Sequence, residues 1–224
     1  MSGHHRARLL TLEGVSKAYG TGASCTVVLE SVDLTIREEE KVSLVGPSGS
    51  GKSTLLSLIA GLSRPDAGRI SIDGVATHDL DDTRRAALRA GRVGIVLQSD
   101  NLIPFLTAAE NVELAMVFTG RQKQRGRARE LLALLGVDDR RDHLPRRLSG
   151  GEAQRVSIAV ALANEPSLLL ADEVVGQLDS ATAEHVIDVI FGSELAVLFV
   201  THDETLAARG DRRLRLVDGS VIDR

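Results

Sequence analysis

The residues between positions 46 and 53 have types and a spacing suited to binding phosphate. They read Gly46-Pro47-Ser48-Gly49-Ser50-Gly51-Lys52-Ser53, which follows the pattern G-x-x-x-x-G-K-[ST]. Glycines let the backbone curl so that several N–H groups point at one anion, and the lysine supplies a charge for the outer phosphates. The final serine hydroxyl is suited to Mg²⁺. Lys41–Val45 predicts a strand before the loop and Ser53–Ala60 a helix after it, a context that a chance glycine-rich turn lacks.

Two adjacent carboxylates, Asp172 and Glu173, follow the apolar run Leu168–Ala171. If that run is a strand of an open α/β sheet, its carboxyl end faces the ligand crevice. Asp172 is then suited to the surroundings of Mg²⁺, and Glu173 to polarising an attacking water. The alternative is a pair of ordinary surface acids at the start of a loop. The phosphate-binding loop in the same chain favours the functional interpretation.

A second anion site is predicted at Leu148-Ser149-Gly150-Gly151-Glu152. Ser149 and Glu152 have the spacing of a capping box, and a helix is predicted from there to Ala163. An ordinary helix start is the alternative, but two glycines directly after the cap expose backbone N–H groups at a helix N-terminus. One phosphate loop does not need two such sites in one subunit. We therefore infer a dimer in which each chain offers this cap to the nucleotide held by the other.

The composition is that of an ordinary globular protein and argues against several functional classes. Of the 224 residues, 43% are hydrophobic and 26% are charged. A net charge of −4 and an aromatic content of 2% give no basic field and few stacking platforms, so we predict no nucleic-acid partner. The single cysteine, Cys25, cannot form an internal disulfide. No apolar run approaches the roughly 18 residues of a membrane span, and the N-terminus lacks a secretory signal.

The order of predicted elements indicates an α/β fold. Apolar runs at Ser167–Ala171 and Ala196–Val200, with a helical pattern at Ala181–Phe191 between them, have the order of a βαβ unit. Further strands are predicted at Leu9–Val15, Val27–Ile36, Arg69–Ile72 and Val93–Leu97. Further helices are predicted at Asp82–Ala90, Ala108–Phe118 and Arg127–Leu135. No strand is predicted between Leu106 and Ala163, so a helical segment is inserted into a mainly parallel sheet.

Taken together, the motifs resemble those of the ATP-binding subunits of ABC transporters. Gln98 matches the family's coupling glutamine, and Leu148–Glu152 matches its LSGG signature. The other markers are Leu168–Glu173 for the second nucleotide motif, Gln177-Leu178-Asp179 for the D-loop, Thr201-His202-Asp203 for the switch histidine and Tyr19 for the aromatic residue that stacks on adenine. With the phosphate loop, the markers occur in the family's order and cover nearly the whole chain.

The resemblance implies a role for each marker in the hydrolysis of ATP to ADP and phosphate. ATP binding is implied for Tyr19, Gly46, Pro47, Ser48, Gly49, Ser50, Gly51, Lys52, Ser53 and Thr54. Mg²⁺ ligation is implied for Ser53, Gln98 and Asp172, and catalytic roles are implied for Glu173, His202, Gln98 and Lys52. Contacts to the partner chain's ATP are implied for Leu148, Ser149, Gly150, Gly151 and Glu152, with Asp179 in the D-loop.

The resemblance also implies a domain organisation. Residues 1–224 form a single ABC ATPase domain, with a phosphate-loop ATPase core at 1–98 and 164–224. The core combines a mainly parallel sheet with an N-terminal antiparallel β portion. Residues 99–163 form the helical signature subdomain.

The residues around the motifs are similar to those of the lipoprotein-release, macrolide-export and cell-division group. The resemblance rests on Gly46–Leu56, Leu102–Pro104 with Ala109–Val112, and Gly151–Val156. It implies a homodimer in the ATP state and an integral membrane permease as partner, at the cytoplasmic face of the inner or plasma membrane. An alternative within the group is an ATPase that regulates extracytoplasmic cell-wall hydrolases and transports nothing. A soluble ATPase acting on DNA or ribosomes is disfavoured, because those relatives carry long coiled coils or two fused cassettes.

Four residues depart from the family's pattern. Val174 and Val175 stand where Pro-Thr is usual, and Val160 stands where Arg is common in the signature helix. Glu39 stands where a glycine usually makes the turn before the phosphate-loop strand. We expect these departures to affect the segment from Glu173 to Asp179 and the turnover rate, and to leave ATP binding intact.

The apolar run Leu102–Leu106 has the character of a loop because it contains Pro104. Exposed apolar loops usually contact a partner. We hypothesise that this run lines a groove for a short cytoplasmic helix of the permease, whereas Val112 and Met116 pack inside the helical segment.

Overall fold

The structure is a computed structural model that describes residues 6–20, 22–97, 102–121 and 126–223. Its strands are β1 (Arg8–Tyr19), β2 (Thr26–Arg37), β3 (Lys41–Val45), β4 (Ala67–Ile72), β5 (Val75–Ala76), β6 (Val93–Val96), β7 (Leu168–Asp172), β8 (Ala196–Val200), β9 (Arg212–Val217) and β10 (Ser220–Asp223). Its α-helices are α1 (Lys52–Ile59), α2 (Asp82–Arg92), α3 (Ala108–Val117), α4 (Arg127–Leu134), α5 (Gly150–Leu162), α6 (Ser180–Phe191) and α7 (Glu204–Ala207).

Contacts between Cα atoms divide the chain into two compact units. The first contains the residues up to Ala86 and those from Ala196 onwards, and the second contains Ala87–Leu195. The second unit therefore includes β6, β7 and α6 in addition to the predicted helical subdomain, whose bounds of 99 and 163 remain predictions.

The first unit combines an antiparallel sheet with a parallel arrangement around β3. The antiparallel sheet has the strand order β2-β1-β4-β5. Strand β3 pairs in parallel with β8 on one side and with β9 on the other, and β10 pairs antiparallel with β9. All five residues of β3 and all five of β8 are buried, which explains their continuous apolar sequences.

Helix α1 packs its apolar face into the core of the first unit. Leu55, Leu56 and Ile59, which share one face in the sequence pattern, are all buried. Together with Leu44 of β3 and Phe199 of β8 they belong to the buried apolar residues of this unit. This packing fixes the direction of the helix, and with it the position of the loop that precedes it.

The second unit contains a parallel pair of strands and the helical segment. Strand β6 pairs with β7 from Val93↔Leu168 to Val96↔Ala171. Within residues 102–121 and 126–163 the structure has helices and short 3₁₀ turns but no strand, as predicted. Val112 and Met116 of α3 are buried, as the sequence indicated. Among the described residues of both units, none of the helices has the length and apolar character needed to cross a lipid bilayer.

The turn before β3 contains one of the four departures. Glu39 has a φ of 59°, in the left-handed region that favours glycine, and Glu40 N donates to Arg37 O at 3.2 Å to close the turn. This left-handed backbone explains why a glycine is usual at this position. Glu39 also forms an ion pair with Arg6 at 3.0 Å, and because both side chains are largely exposed this contributes little stability.

Three elements near the C-terminus were not predicted from the sequence. They are β9, β10 and the four-residue helix α7. In β9, the buried Leu214 and Leu216 alternate with arginines, and Asp218 and Gly219 both have positive φ in the turn to β10. Alternation and an Asp-Gly turn are signals of a β-hairpin, so the sequence contained the information for β9 and β10. Helix α7 is too short to give a periodic pattern.

Candidate nucleotide-binding site

The phosphate-binding loop lies between β3 and α1 and has little room for side chains. Gly49 and Gly51 have φ values of 76° and 100°. A Cβ atom on Gly51 would lie 2.8 Å from Val28 Cγ1, and one on Gly46 would lie 2.4 Å from Leu216 O. Packing against β2 therefore requires glycine at position 51, and packing against β9 requires it at position 46. This requirement is independent of any contact with a ligand.

Lys52 folds back over the loop that precedes it. Its Nζ atom donates to Gly46 O at 2.9 Å and to Pro47 O at 2.8 Å, and the residue is buried. The ammonium group is thus held at the mouth of the loop, where the outer phosphates of a nucleotide are expected. Ser50 Oγ is also buried and, among the described residues, has no hydrogen-bond partner. A buried polar atom in that situation is free to bind a ligand in the loop.

The N-terminus of α1 is available for an anion. Gly51 is the N-cap residue and provides no side-chain cap, and the first turn contains no acidic residue. The first N–H groups of a helix lack intrahelical partners, and the helix dipole favours negative charge there. Ser53 and Thr54 lie in this first turn, with Ser53 exposed.

A cavity of about 350 Å³ brings the start of the phosphate loop together with the predicted switch histidine. Its lining includes Gly46, Pro47 and His202. It also includes Arg213 and Arg215 of β9, which the sequence interpretation did not identify because it did not predict β9. Arg213 Nη2 donates to Glu204 Oε1 at 2.7 Å, so part of the positive charge is compensated at the first residue of α7.

Tyr19, the predicted adenine-stacking residue, is the last residue of β1 and is 47% exposed. It pairs with Thr26, two residues before the Val28 that contacts the phosphate loop. Lys17 Nζ lies 5.4 Å from the centre of the Tyr19 ring and also donates to Asp66 at 2.8 Å. The hydrogen bond from Lys17 lowers the pKa of Asp66.

In the second unit, Asp172 is half-buried at the end of β7 and Glu173 follows it directly. Glu173 has a φ of 52°, and its carbonyl accepts a hydrogen bond from Gly176 N at 3.1 Å. A glutamate in the left-handed region is strained, and such strain is common at functional sites. The next residue, Val174, is buried, and its carbonyl accepts from Gln154 Nε2 at 3.2 Å. Val174 and Val175, which stand where Pro-Thr is usual, are therefore compatible with a turn whose backbone is held by hydrogen bonds.

The signature forms the predicted capping box at the start of α5. Ser149 Oγ accepts from Glu152 N at 3.2 Å, and Glu152 Oε2 accepts from Ser149 N at 2.7 Å. Glu152 Oε1 accepts from Arg140 Nε at 2.8 Å. The hydrogen bond from the Ser149 backbone, together with that from Arg140, lowers the pKa of Glu152 to about 2. Ser149 and Gly150 are exposed, so this helix start can meet an anion.

The glycines of the signature pack against the predicted D-loop. A Cβ atom on Gly150 would lie 2.7 Å from Gln177 Oε1, and one on Gly151 would lie 3.2 Å from Gln177 O. Asp179 is the N-cap of α6, where it accepts from Thr182 N at 3.1 Å and from Thr182 Oγ1 at 2.7 Å. These hydrogen bonds from Thr182 lower the pKa of Asp179. The D-loop carboxylate therefore has a structural partner within its own chain.

The predicted site residues are distributed over both units. The first unit carries Tyr19, residues 46–54 and His202, and the second carries residues 148–152, Asp172, Glu173 and Asp179. Gln98 lies outside the described residues. Hydroxyl and carboxylate oxygens, the donor types of Ser53 and of Asp172, are each suited to Mg²⁺, which binds proteins through one or two such groups together with substrate phosphates. The roles assigned to individual residues remain predictions.

A phosphate loop of this geometry, between a parallel strand and a helix with an uncapped N-terminus, defines a nucleotide-binding ATPase of the phosphate-loop class. The chain belongs to the ABC transporter family, whose family model matches residues 29–176. It is thus an ATP-binding cassette of that family, as the motifs indicated.

Curated relatives and solved structures support this assignment over nearly the full chain. A lipoprotein-releasing system ATP-binding protein, LolD 1 of Rhodospirillum rubrum, is 44% identical and covers 95% of this chain and 97% of the relative. The uncharacterized ABC transporter ATP-binding protein MJ0796 of Methanocaldococcus jannaschii is also 44% identical, covering 95% of each chain. A dimeric structure of MJ0796 in a post-hydrolysis state bound to ADP and Pi has a TM-score of 0.91 at 41% identity, covering 96% of this chain and 98% of that one. The predicted α/β fold class and the ATPase family are confirmed.

Proposed function

We propose that this chain is the ATPase subunit of a transporter with a lipoprotein-release type of permease, and that it hydrolyses ATP at sites shared by two copies of the chain. The observation that carries the shared site is the presence of two helix N-termini suited to anions, α1 with its phosphate loop and α5 with its signature. The similarity to LolD 1 supports the type of permease, and these relatives do not specifically favour the cell-division alternative.

The residues of the first unit bind and orient the nucleotide in this proposal. Tyr19 stacks on the adenine, and the loop N–H groups and Lys52 hold the phosphates. Ser53 and Asp172, with Gln98, would hold Mg²⁺, and a bound Mg²⁺ would neutralise charge on the phosphates. Since phosphoryl transfer needs little covalent chemistry from the protein, positioning and charge stabilisation provide most of the rate.

The remaining residues act on the attacking water and on the γ-phosphate. Glu173 orients the water and takes up its proton, and His202 contacts the γ-phosphate. Ser149 and Gly151 of the opposite chain cap the same phosphate. The known dimeric structure of MJ0796 with ADP and Pi supports a dimer around nucleotide in this chain.

Replacing Ser149 by Arg is expected to block ATP-dependent dimerisation without affecting ATP binding by the monomer. The change puts a large side chain at an exposed helix start that, in this proposal, contacts only the partner's nucleotide. Light scattering measures the dimer, and fluorescence titration measures nucleotide affinity. Thr107→Arg is the matched control, because Thr107 forms the same type of capping box at α3. Equal dimerisation of both variants would contradict the shared site.

An apolar surface on the second unit is the proposed docking site for the permease. Phe105 is 77% exposed and Phe118 is 72% exposed. Phe118 and Ile103 also line a cavity of about 290 Å³, beside Leu114 of α3. We propose that a short cytoplasmic helix of the permease binds here, which would place the ATPase at the cytoplasmic face of the membrane.

Replacing Phe105 by Asp is expected to prevent co-purification with the permease in detergent while ATP binding by the isolated chain stays unchanged. A charge at the centre of an apolar contact is costly to desolvate, whereas it is harmless on a free surface. Ile222→Asp is the control, since Ile222 is another exposed apolar residue, on the edge strand β10. If the Phe105 variant still assembles and its ATPase activity remains coupled, the docking surface lies elsewhere.

A further inference from the structure

Arg140 lies in a short 3₁₀ turn, Asp138–Arg140, between α4 and the signature. Its Nε atom donates to Glu152 Oε1 at 2.8 Å, while the other carboxylate oxygen of Glu152 accepts from Ser149 N at 2.7 Å. The two oxygens of one carboxylate therefore have different partners. Oε2 holds the backbone N–H of the N-cap residue Ser149, and Oε1 is held by Arg140.

The backbone around Arg140 is also bound to the start of α3. Ala108 N donates to His143 O at 2.9 Å, and Ala109 N donates to Arg141 O at 2.9 Å. These are N–H groups of the first helical turn, which have no intrahelical acceptor. His143 N in turn donates to Arg140 O at 2.9 Å. Arg140 therefore lies between the start of α3 and the start of α5, with a hydrogen-bonded connection to each.

This arrangement differs from the ordinary surface ion pairs of the chain. Isolated exposed pairs contribute about 0–1 kcal/mol and do not fix a geometry. Here the Glu152 side chain is only 20% exposed, and each of its carboxylate oxygens accepts one hydrogen bond, Oε2 from Ser149 N and Oε1 from Arg140 Nε. Hydrogen bonds to an ionised carboxylate are about twice as strong as neutral ones, so the pair restrains the helix start.

We propose that Arg140 is a positioning residue for the signature: by holding Glu152, and through it the backbone of Ser149, it fixes the exposed start of α5 relative to the start of α3. The proposal rests on the proposed function, because this orientation matters for turnover only if the cap contacts the partner's ATP. The start of α3 follows the apolar run that contains Phe105, so the same connection joins the proposed docking surface to the cap. Arg140 itself does not touch the nucleotide in this assignment.

The first test uses the monomer and does not depend on dimerisation. In Arg140→Gln, NMR titration is expected to show that the pKa of Glu152 has risen from about 2 towards its ordinary value of 4.5. Hydrogen exchange of the Ser149 amide is expected to become faster by about tenfold, as befits the loss of one charge-assisted hydrogen bond. Arg140→Lys keeps the charge with different geometry and should restore part of both values. Arg129→Gln is the control, because Arg129 is an exposed neighbour that contacts Asp138 and not Glu152.

The second test measures dimer formation with ATP in a Glu173→Gln background, in which slow hydrolysis is expected to let the dimer persist. Arg140→Gln is expected to weaken the dimer by about tenfold and to leave nucleotide affinity of the monomer unchanged. In a double-mutant cycle, Arg140→Gln should have a much smaller effect when Glu152 is already Gln, because the ionised acceptor is gone. A purely structural role would lower thermal stability without this dependence on Glu152.

The outcomes separate this proposal from the proposed function. If the Glu173→Gln parent does not dimerise in ATP, the shared site is wrong, and with it the functional part of the role of Arg140. If the parent dimerises and Arg140→Gln dimerises equally well, the positioning role is wrong while the shared site stands. An unchanged Glu152 pKa and Ser149 exchange rate in Arg140→Gln would overturn the proposal in either case.

Discussion

Replacing Glu173 by Gln is expected to slow ATP hydrolysis by about 100-fold or more while ATP binding is retained. Glutamine has nearly the same size as glutamate and can occupy the same left-handed backbone position, φ 52°, at the end of β7. It cannot accept a proton from the attacking water. The phosphate loop and the signature are untouched, so ATP still brings two chains together, and without hydrolysis the dimer persists.

Size-exclusion chromatography with and without ATP, together with a phosphate-release assay, measures both parts of this expectation. Glu165→Gln is a closely matched control, because Glu165 is a glutamate of the same unit that also has a left-handed backbone, with a φ of 50°. Glu165 forms an ion pair with Arg121, and losing this ion pair in Glu165→Gln should leave ATP turnover unchanged. A Glu173→Gln variant that turns over normally, or that stays monomeric in saturating ATP, would contradict the assigned role.

The elements that position the phosphate loop could be predicted because their physical determinants are local. The apolar residues of β3 and the spacing of Leu55, Leu56 and Ile59 in α1 follow directly from burial. The turn between β4 and β5 at Asp73 and Gly74, with φ values of 52° and 73°, likewise has a local determinant, because an Asp-Gly pair readily adopts positive φ. The strand β9 was missed although Leu214 and Leu216 alternate with arginines, and Arg213 and Arg215 of the phosphate-loop cavity were missed with it.

Long-range partners could not be predicted in the same way. The contact of Gly150 with Gln177, and that of Arg140 with Glu152, join residues whose separation in sequence carries no periodic signal. The capping box predicts that Glu152 bonds back to Ser149, but it does not say what holds the other carboxylate oxygen. Sequence thus located the helix start, and only the structure identified the residue that restrains it.

Both signature glycines have a structural requirement as well as a proposed functional one. The small distance from a Gly150 Cβ to Gln177 Oε1 means that a side chain at Gly150 forces the Gln177 side chain in the D-loop to move, whatever it does to a bound phosphate. A substitution at Gly150 therefore cannot separate the two roles. Ser149, which is exposed, is the better position for testing the partner contact.

Replacing Lys52 by Ala is expected to weaken ATP binding by about 100-fold or more, because hydrogen bonds to charged groups contribute about 1.5–3 kcal/mol each and this ammonium is expected to contact two phosphates. In the structure Nζ donates to Gly46 O and Pro47 O, so the variant also loses the closure of the loop on itself. Those carbonyls lie in a partly exposed loop, where water can replace the lysine, so we expect the fold to remain intact.

Nucleotide titration by fluorescence measures the affinity, and circular dichroism verifies that the variant is folded. Lys41→Met is the matched control, since Lys41 is a second buried lysine of the same unit, at the start of the strand that leads to the loop. It removes a buried charge without touching the phosphate site. We expect Lys41→Met to bind ATP like the parent protein, at some cost in stability. A Lys52→Ala variant with unchanged ATP affinity would show that the phosphates bind elsewhere, because no other charge in the loop could replace the one removed.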